Sequence, residues 1–332
     1  MKKLTILVAI FLIGVLAVSC GGSEEAKAVK TGFASDTTIA DSISADGATN
    51  GEAAGYSKMV GVLVDEDGVI VDCVIDAVQP KAEFSSAGKI VTPLDTTFDS
   101  KNVLGDAYGM KVASGIQKEW NEQAAFLADY VVGKTVEDLD GIALDAEGTA
   151  TDEELLAGVT MHIGPYLAVI EQAVANATDL GAKEGDTLGL GTTTNIGQSK
   201  DFSADGDGVA VLYSTYALAS KDADGVITSA IIDGSQAKVT FDAAGKLTVD
   251  VEATFVTKNE LGADYGMKVA SGIQKEWFEQ AAAFATFATG KTIDDVKGVS
   301  MDAEGVVTDE ELATSVTIHV GDFIKCLELA TM

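Results

Sequence analysis

Tyr108-Gly-Met-Lys-Val-Ala-Ser-Gly-Ile-Gln-Lys-Glu-Trp120 returns without a change as Tyr265–Trp277, an offset of 157 residues. The same offset aligns Asp67-Gly68 with Asp224-Gly225, Ile75-Asp76 with Ile232-Asp233, and Gln79 with Gln236. Farther on it aligns Gly133-Lys134-Thr135 with Gly290-Lys291-Thr292, Thr151–Leu155 with Thr308–Leu312, and His162 with His319. The chain therefore reads as one module written twice. The expected fold class is α+β: two tandem homologous domains, each a small antiparallel sheet packed with helices.

Two runs rich in β-branched residues flank Asp65–Gly68, and two more flank Asp222–Gly225. Each pair predicts a hairpin, because glycine supplies the positive φ of a tight turn. These acidic turns lack the twelve-residue spacing and terminal glutamate of an EF-hand, so they are read as turns rather than calcium loops. A third strand is expected near Ala82–Phe84 and near Val239–Phe241. The duplicated block is expected to open a long helix, with Ser114/Gln117 and Ser271/Gln274 at capping-box spacing. Trp120 and Trp277 lie on its apolar stripe and are read as core anchors in preference to flavin-stacking rings. Gly133-Lys134-Thr135 lacks the glycine five residues upstream that a phosphate loop requires, and Gly133 is read as a helix C-cap. Thr151–Glu154 and Thr308–Glu311 predict a second capping box and a short helix. Val159–Ile163 and Val316–Val320 alternate like strands, before a final helix (Tyr166–Ala175 and Phe323–Ala330).

The 332 residues carry a formal charge of −30 and 47% apolar residues. That is enough to bury a core, and acidic enough to exclude nucleic acid as a partner. No arginine is present, so a bound phosphate has no guanidinium fork to meet it. Cys73 and Cys326 are not in register and are read as buried hydrophobes in preference to a disulfide.

Met1-Lys2-Lys3 and the apolar run Leu4–Val18 form a leader, ending at Leu16-Ala-Val-Ser-Cys20-Gly-Gly. It resembles a bacterial lipoprotein signal cleaved before Cys20, whose sulfur would be lipidated; an ordinary secretory leader is the alternative. The expected organisation is a signal at 1–20, a flexible tether at 21–30, a first repeat at 31–176, a linker at 177–187 and a second repeat at 188–332. Such a protein would sit outside the cytoplasm, held to a bacterial cell membrane through Cys20.

The order of hairpin, helix, threonine-bearing turn and terminal helix resembles the extracytoplasmic FMN-binding domain family, which includes flavinylated surface lipoproteins of electron transfer. The family signature is roughly Asp-x-x-Ser-Gly-Ala-Thr-x-Ser, with FMN esterified to the threonine by a separate flavin transferase. The corresponding stretches are Glu154-Leu-Leu-Ala-Gly158-Val-Thr160-Met-His162 and Glu311-Leu-Ala-Thr-Ser315-Val-Thr317-Ile-His319. The threonine and an acidic residue are in register; the Ser-Gly-Ala core is altered, and histidine replaces the serine. The resemblance implies FMN as cofactor, Thr160 and Thr317 as attachment or contact points, and Gly158 and Ser315 beside them. It also implies a flavin transferase and a redox partner, and a phosphate held covalently or by amides at a helix start. His162 and His319 would neighbour the phosphate or the ring; the alternative is a histidine inherited through duplication. The function expected is that of an electron carrier or binding protein more than a catalyst. The alternative is a non-enzymatic surface binding or structural lipoprotein with a decayed flavin site.

Overall fold

The computed structural model describes residues 26–332, so the leader, Cys20 and the first part of the tether lie outside the described residues. The first half runs β1 (Lys30–Thr38), β2 (Gly51–Ala54), β3 (Tyr56–Val64), β4 (Ile70–Val78), β5 (Lys81–Phe84) and β6 (Thr97–Phe98). Its helices are α1 (Lys101–Leu104), α2 (Trp120–Val131), α3 (Val136–Asp140), α4 (Glu153–Gly158) and α5 (Gly164–Ala175). The second half runs β7 (Thr187–Asn195), β8 (Gly208–Lys221) and β9 (Ile227–Phe241), then α6 (Lys258–Leu261), α7 (Trp277–Ala288), α8 (Ile293–Lys297) and α9 (Gly321–Ala330). The fold is α+β, and most elements recur at the sequence offset. Where β2 and β3 are separate, β8 is continuous, and β9 likewise replaces β4 and β5. Gly55 and Pro80 interrupt the first half; their counterparts Leu212 and Ala237 are a register pair inside the β8–β9 ladder. Proline has no amide to donate to such a ladder.

The hairpins form as read. Asp65 Oδ1 accepts from the Asp67 and Val69 amides, and Asp222 Oδ1 from those of Asp224 and Val226. Both carboxylates are thus spent on the turn itself.

Four expectations need correction. The long helix starts at Trp120, not near Ser114: Glu119 is the N-cap and forms a capping box with Glu122, while Gln117 has φ +57°. Ser114 Oγ instead donates to the Lys111 carbonyl and accepts from the Lys118 amide inside an irregular loop. The short helix α4 is capped by Asp152 rather than Thr151, and in the second half it shrinks to a 3-10 turn, Leu312–Thr314. Val159–Ile163 and Val316–Val320 are not strands, although their alternation is real in burial: Val159, Ile163, Val316 and Val320 are all fully buried. Finally, the tether and the linker are tied to each other at their ends. Val29 donates to the Ala182 carbonyl, Thr31 to Thr178, and Glu184 to Lys27.

The two halves close on each other. β6 of the first half pairs with β7 of the second through Phe98 and Thr194, and Phe255 bridges back to Thr37. These contacts are reciprocal at the repeat offset, as an approximate two-fold axis requires. Phe84 and Phe241, counterparts in the repeat, stack with ring centroids 4.2 Å apart and an interplanar angle of 1°. They lie in a core drawn from both halves, beside the separate cores of each. Helix α5 presses so closely on β1 that a Cβ on Gly32 would meet the Ala173 carbonyl oxygen at 2.0 Å; Gly189 and Ala330 repeat this at 1.9 Å.

Phe241→Ala should therefore destabilise both halves together, by about 3–5 kcal/mol. The check is urea unfolding of Trp120→Phe and Trp277→Phe backgrounds, each leaving one tryptophan as reporter. A midpoint shift seen only through Trp277 would mean that the halves unfold independently.

Candidate functional site

The identical loop between α1 and α2 is organised by one carboxylate. Glu119 accepts from the Met110 and Lys111 amides at 2.7 and 3.0 Å, so the residue that caps α2 also closes the loop leading to it. Glu276 repeats the contact with Met267. The tip is open: Val112 and Val269 are 86% and 88% exposed.

Beneath the loop lies a feature that no motif announced. Lys101, the first residue of α1, is only 4% exposed, and its Nζ faces the rings of Tyr56, Tyr108 and Trp120 at 4.7, 4.6 and 5.0 Å. Lys258 repeats this against Tyr213, Tyr265 and Trp277 at 4.3, 4.9 and 4.6 Å. Ring faces attract a cation, with most effect where water is excluded. Lys258 Nζ also donates to Tyr213 Oη at 2.9 Å, and Lys101 Nζ to Tyr56 Oη at 3.4 Å. Among the described residues neither Nζ has a carboxylate within ion-pair distance. Burial holds both amines down at about 8.

Nearby, burial pushes Asp76 up to about 6 and Asp233 up to about 7. Asp76 Oδ1 accepts from the Ala77 and Asn102 amides, and Asp233 Oδ1 from those of Gly234 and Asn259. Each thus anchors the start of α1 or α6. The halves differ at one wall: Tyr56 Oη shares a short hydrogen bond with Tyr166 Oη, whereas the counterpart of Tyr166 is Phe323, edge-on to Trp277. The in-register Lys-Asn pairs, Lys101-Asn102 and Lys258-Asn259, were the available signal for this cage.

The threonines named by the sequence sit beside the same loop. Gln123 Oε1 accepts from the Thr160 amide at 2.8 Å, and Thr160 Oγ1 donates to the Ser114 carbonyl at 3.0 Å. Thr317 repeats both, to Gln280 at 2.8 Å and to Ser271 at 3.2 Å. Both threonines are half-buried, and His162 and His319 are exposed. Gly158 is buried because a Cβ there would strike the Phe126 ring at 2.2 Å. Ser315 Oγ accepts from Lys275 Nζ at 3.0 Å.

These residues suit a phosphate ester on the threonine oxygen in their chemistry: the hydroxyl is half-buried, Lys275 in the second half bonds Ser315, two residues before Thr317, and Lys118 in the first half lies over the Phe126 ring. They do not suit a phosphate held by amides at the start of the last helix. In α5 the Gly164 amide goes to the Gly148 carbonyl, Pro165 has none, and the Tyr166 and Leu167 amides go to Ile163. In α9 Asp322 puts a carboxylate in the first turn, where it repels an anion.

The buried ionisable groups predict an opposed pH dependence. The raised aspartates contribute stability below pH 4 that is lost as pH rises through 6–7. The depressed lysines contribute stability above pH 10.5 that is lost as pH falls through 8. Lys258→Met should therefore lack part of the stability gain that the parent shows between pH 8 and 10, about 1.4 kcal/mol per pH unit. Urea midpoints of both proteins across that range are the check; parallel curves would show that Lys258 titrates as an ordinary lysine.

No protein-family model matches the chain, and no solved structure matches it. A stretch of 88 residues is 35% identical to a curated protein named chlorophenol reductase, from Desulfitobacterium hafniense. That match spans 23% of this chain and 27% of the other.

Proposed function

We propose that this is an extracytoplasmic lipoprotein, held to the membrane through Cys20, whose two modules take FMN at Thr160 and Thr317 and carry electrons outside the cytoplasmic membrane. The observation that supports it is the repeated placement of a half-buried threonine in register with the attachment residue of the family it resembles. In both halves the threonine has its amide fixed on a glutamine and its hydroxyl on the duplicated loop. FMN would supply the redox chemistry once attached. Gln123 and Gln280 would hold the attachment loop in place, and Lys118 and Lys275 would offset phosphate charge in a chain without arginine.

A second reading has its own support. The Thr160 hydroxyl proton is already given to the Ser114 carbonyl, and esterification would remove that donor and leave the carbonyl to find another. On this reading the threonine is a latch between two loops. The module is then a non-enzymatic binding or structural lipoprotein whose flavin site has decayed.

The two separate on protein purified from its own host. The flavin reading expects a yellow protein, its intact mass raised by one or two FMN esters, with Thr160→Ala/Thr317→Ala returning it to a colourless polypeptide mass. Colourless parent protein that also ignores added FMN would leave the latch.

A further inference from the structure

Each half has a cleft on the outer side of its sheet, between the long helix and the neighbouring strand. Every residue lining the first has its counterpart at the repeat offset in the second, which adds Leu180 and Thr289. In the first half the cleft is about 300 Å³ and polar, with Asn121 and Asp129 on the helix side; the Asn121 Oδ1 is buried without a partner. In the second half it is about 420 Å³, with Phe278 and Thr286 at those positions. Its floor is Ala230, Ala282 and Ala285, three small side chains that leave a flat apolar surface. Leu180, from the segment joining the halves and still 38% exposed, adds one wall, and Phe278 is another.

The polar side chains lining this second cleft are already bonded to nearby carbonyls. Thr286 Oγ1 donates to the Ala282 carbonyl and Thr289 Oγ1 to that of Ala285, at 2.9 and 3.0 Å. Asn259 Nδ2 donates to the Ile232 carbonyl at 2.9 Å. Both threonine protons are committed to the protein, so each threonine offers a ligand only its oxygen as acceptor, whereas Asn259 keeps its second N–H as well as its Oδ1. No charged side chain lines the cleft, so an ionic ligand would lose hydration without gaining a counter-charge. The chain's net charge of −30 opposes an anion further.

We propose that the cleft between α7 and β9 binds a small, neutral, flat apolar molecule carrying a hydroxyl or N–H donor. The apolar body covers the alanine floor against Phe278 and Leu180, and the donor meets one of the two threonine oxygens. This site is independent of the flavin reading: none of its lining residues belongs to the threonine loop, and Asn259, next to Lys258, is not among the rings that wall the cage.

The test uses the mature full-length chain carrying Thr160→Ala/Thr317→Ala, so that the state of the flavin does not enter. The probe is 1-naphthol, followed by its fluorescence or by calorimetry. One saturable site per chain is expected. 1-Methoxynaphthalene, which keeps the rings but has no donor, should bind about tenfold more weakly. Ala282→Phe, at an exposed position, should abolish naphthol binding by filling the floor. Ala125→Phe, its counterpart in the first half, should leave binding unchanged. Leu180→Ala supplies a second variant should Ala282→Phe alter the melting temperature, and should weaken binding several-fold. Absence of saturable binding, or binding that survives both Ala282→Phe and Leu180→Ala, would overturn the proposal. So would a methoxynaphthalene affinity equal to that of naphthol.

Discussion

The contact on which the rest of the molecule depends is the stack of Phe84 on Phe241. Each ring is fully buried, and its counterpart covers one of its faces. A module of this size carries one three-stranded sheet or its equivalent, and one face of that sheet is taken by its own helices. The other face is apolar and needs a second layer. Duplication supplies it. The exchange of short edge pairings, Phe98 with Thr194 and Phe255 with Thr37, then fixes the two layers in one relative position. Near the axis strict symmetry fails: a Cβ on Gly61 would come within 1.9 Å of the Leu218 side chain, and Leu218 is the counterpart of Gly61. Two leucines could not occupy that crossing, so one copy gave way and the other filled the space.

That shared core leaves the outward faces free, and both candidate sites lie there. The helices α2 and α7 separate them: one side of each carries the loop, cage and threonine, and the other borders the cleft. The loop and cage are preserved between the copies, whereas the clefts have diverged from Asn121 and Asp129 to Phe278 and Thr286. A duplicated protein under a single structural demand has no reason to treat the two sides of one helix so differently. Preservation on one side fits a role that both copies share, and divergence on the other fits a role that they have divided.

Much of the fold was legible because periodicity and turn chemistry are local. The Asp-Gly hairpins, the third strand of the first half and the last helix all follow from runs of a few residues and one glycine, whereas Val239–Phe241, expected as a third strand of the second half, is the end of β9. β1 was not, because Lys30–Thr38 holds glycine, serine, aspartate and threonine and shows no clear alternation; its burial comes from α5 above and the other half below. The helix start was misplaced because Ser114/Gln117 and Glu119/Glu122 both have capping spacing, and only the second pair stands next to the apolar stripe. Val159–Ile163 gives the alternation of a strand because Gln123 holds the Thr160 and Met161 amides and the segment lays Val159 and Ile163 against the core, without a neighbouring strand to pair with. Of the site, the threonines and their register were readable. The lysine cage was not: Tyr56, Lys101, Tyr108 and Trp120 converge only after the hairpin, α1 and the loop are folded together.

The thirteen identical residues invite a functional reading, yet internal demands account for several of them. Tyr108 and Trp120 wall the cage, Glu119 holds two amides, and Ser114 spans the loop and receives the threonine. Identity at these positions follows from folding alone. One residue of the block resists that account most clearly. Val112 points into solvent in both copies, and nothing in the structure explains its retention. Outside the block, Lys101 explains itself even less as a stabilising residue, because burying an amine with no carboxylate within ion-pair distance among the described residues costs more than a methionine of similar length would. A residue that costs stability and is still kept twice is better evidence of use than a block that merely holds itself together.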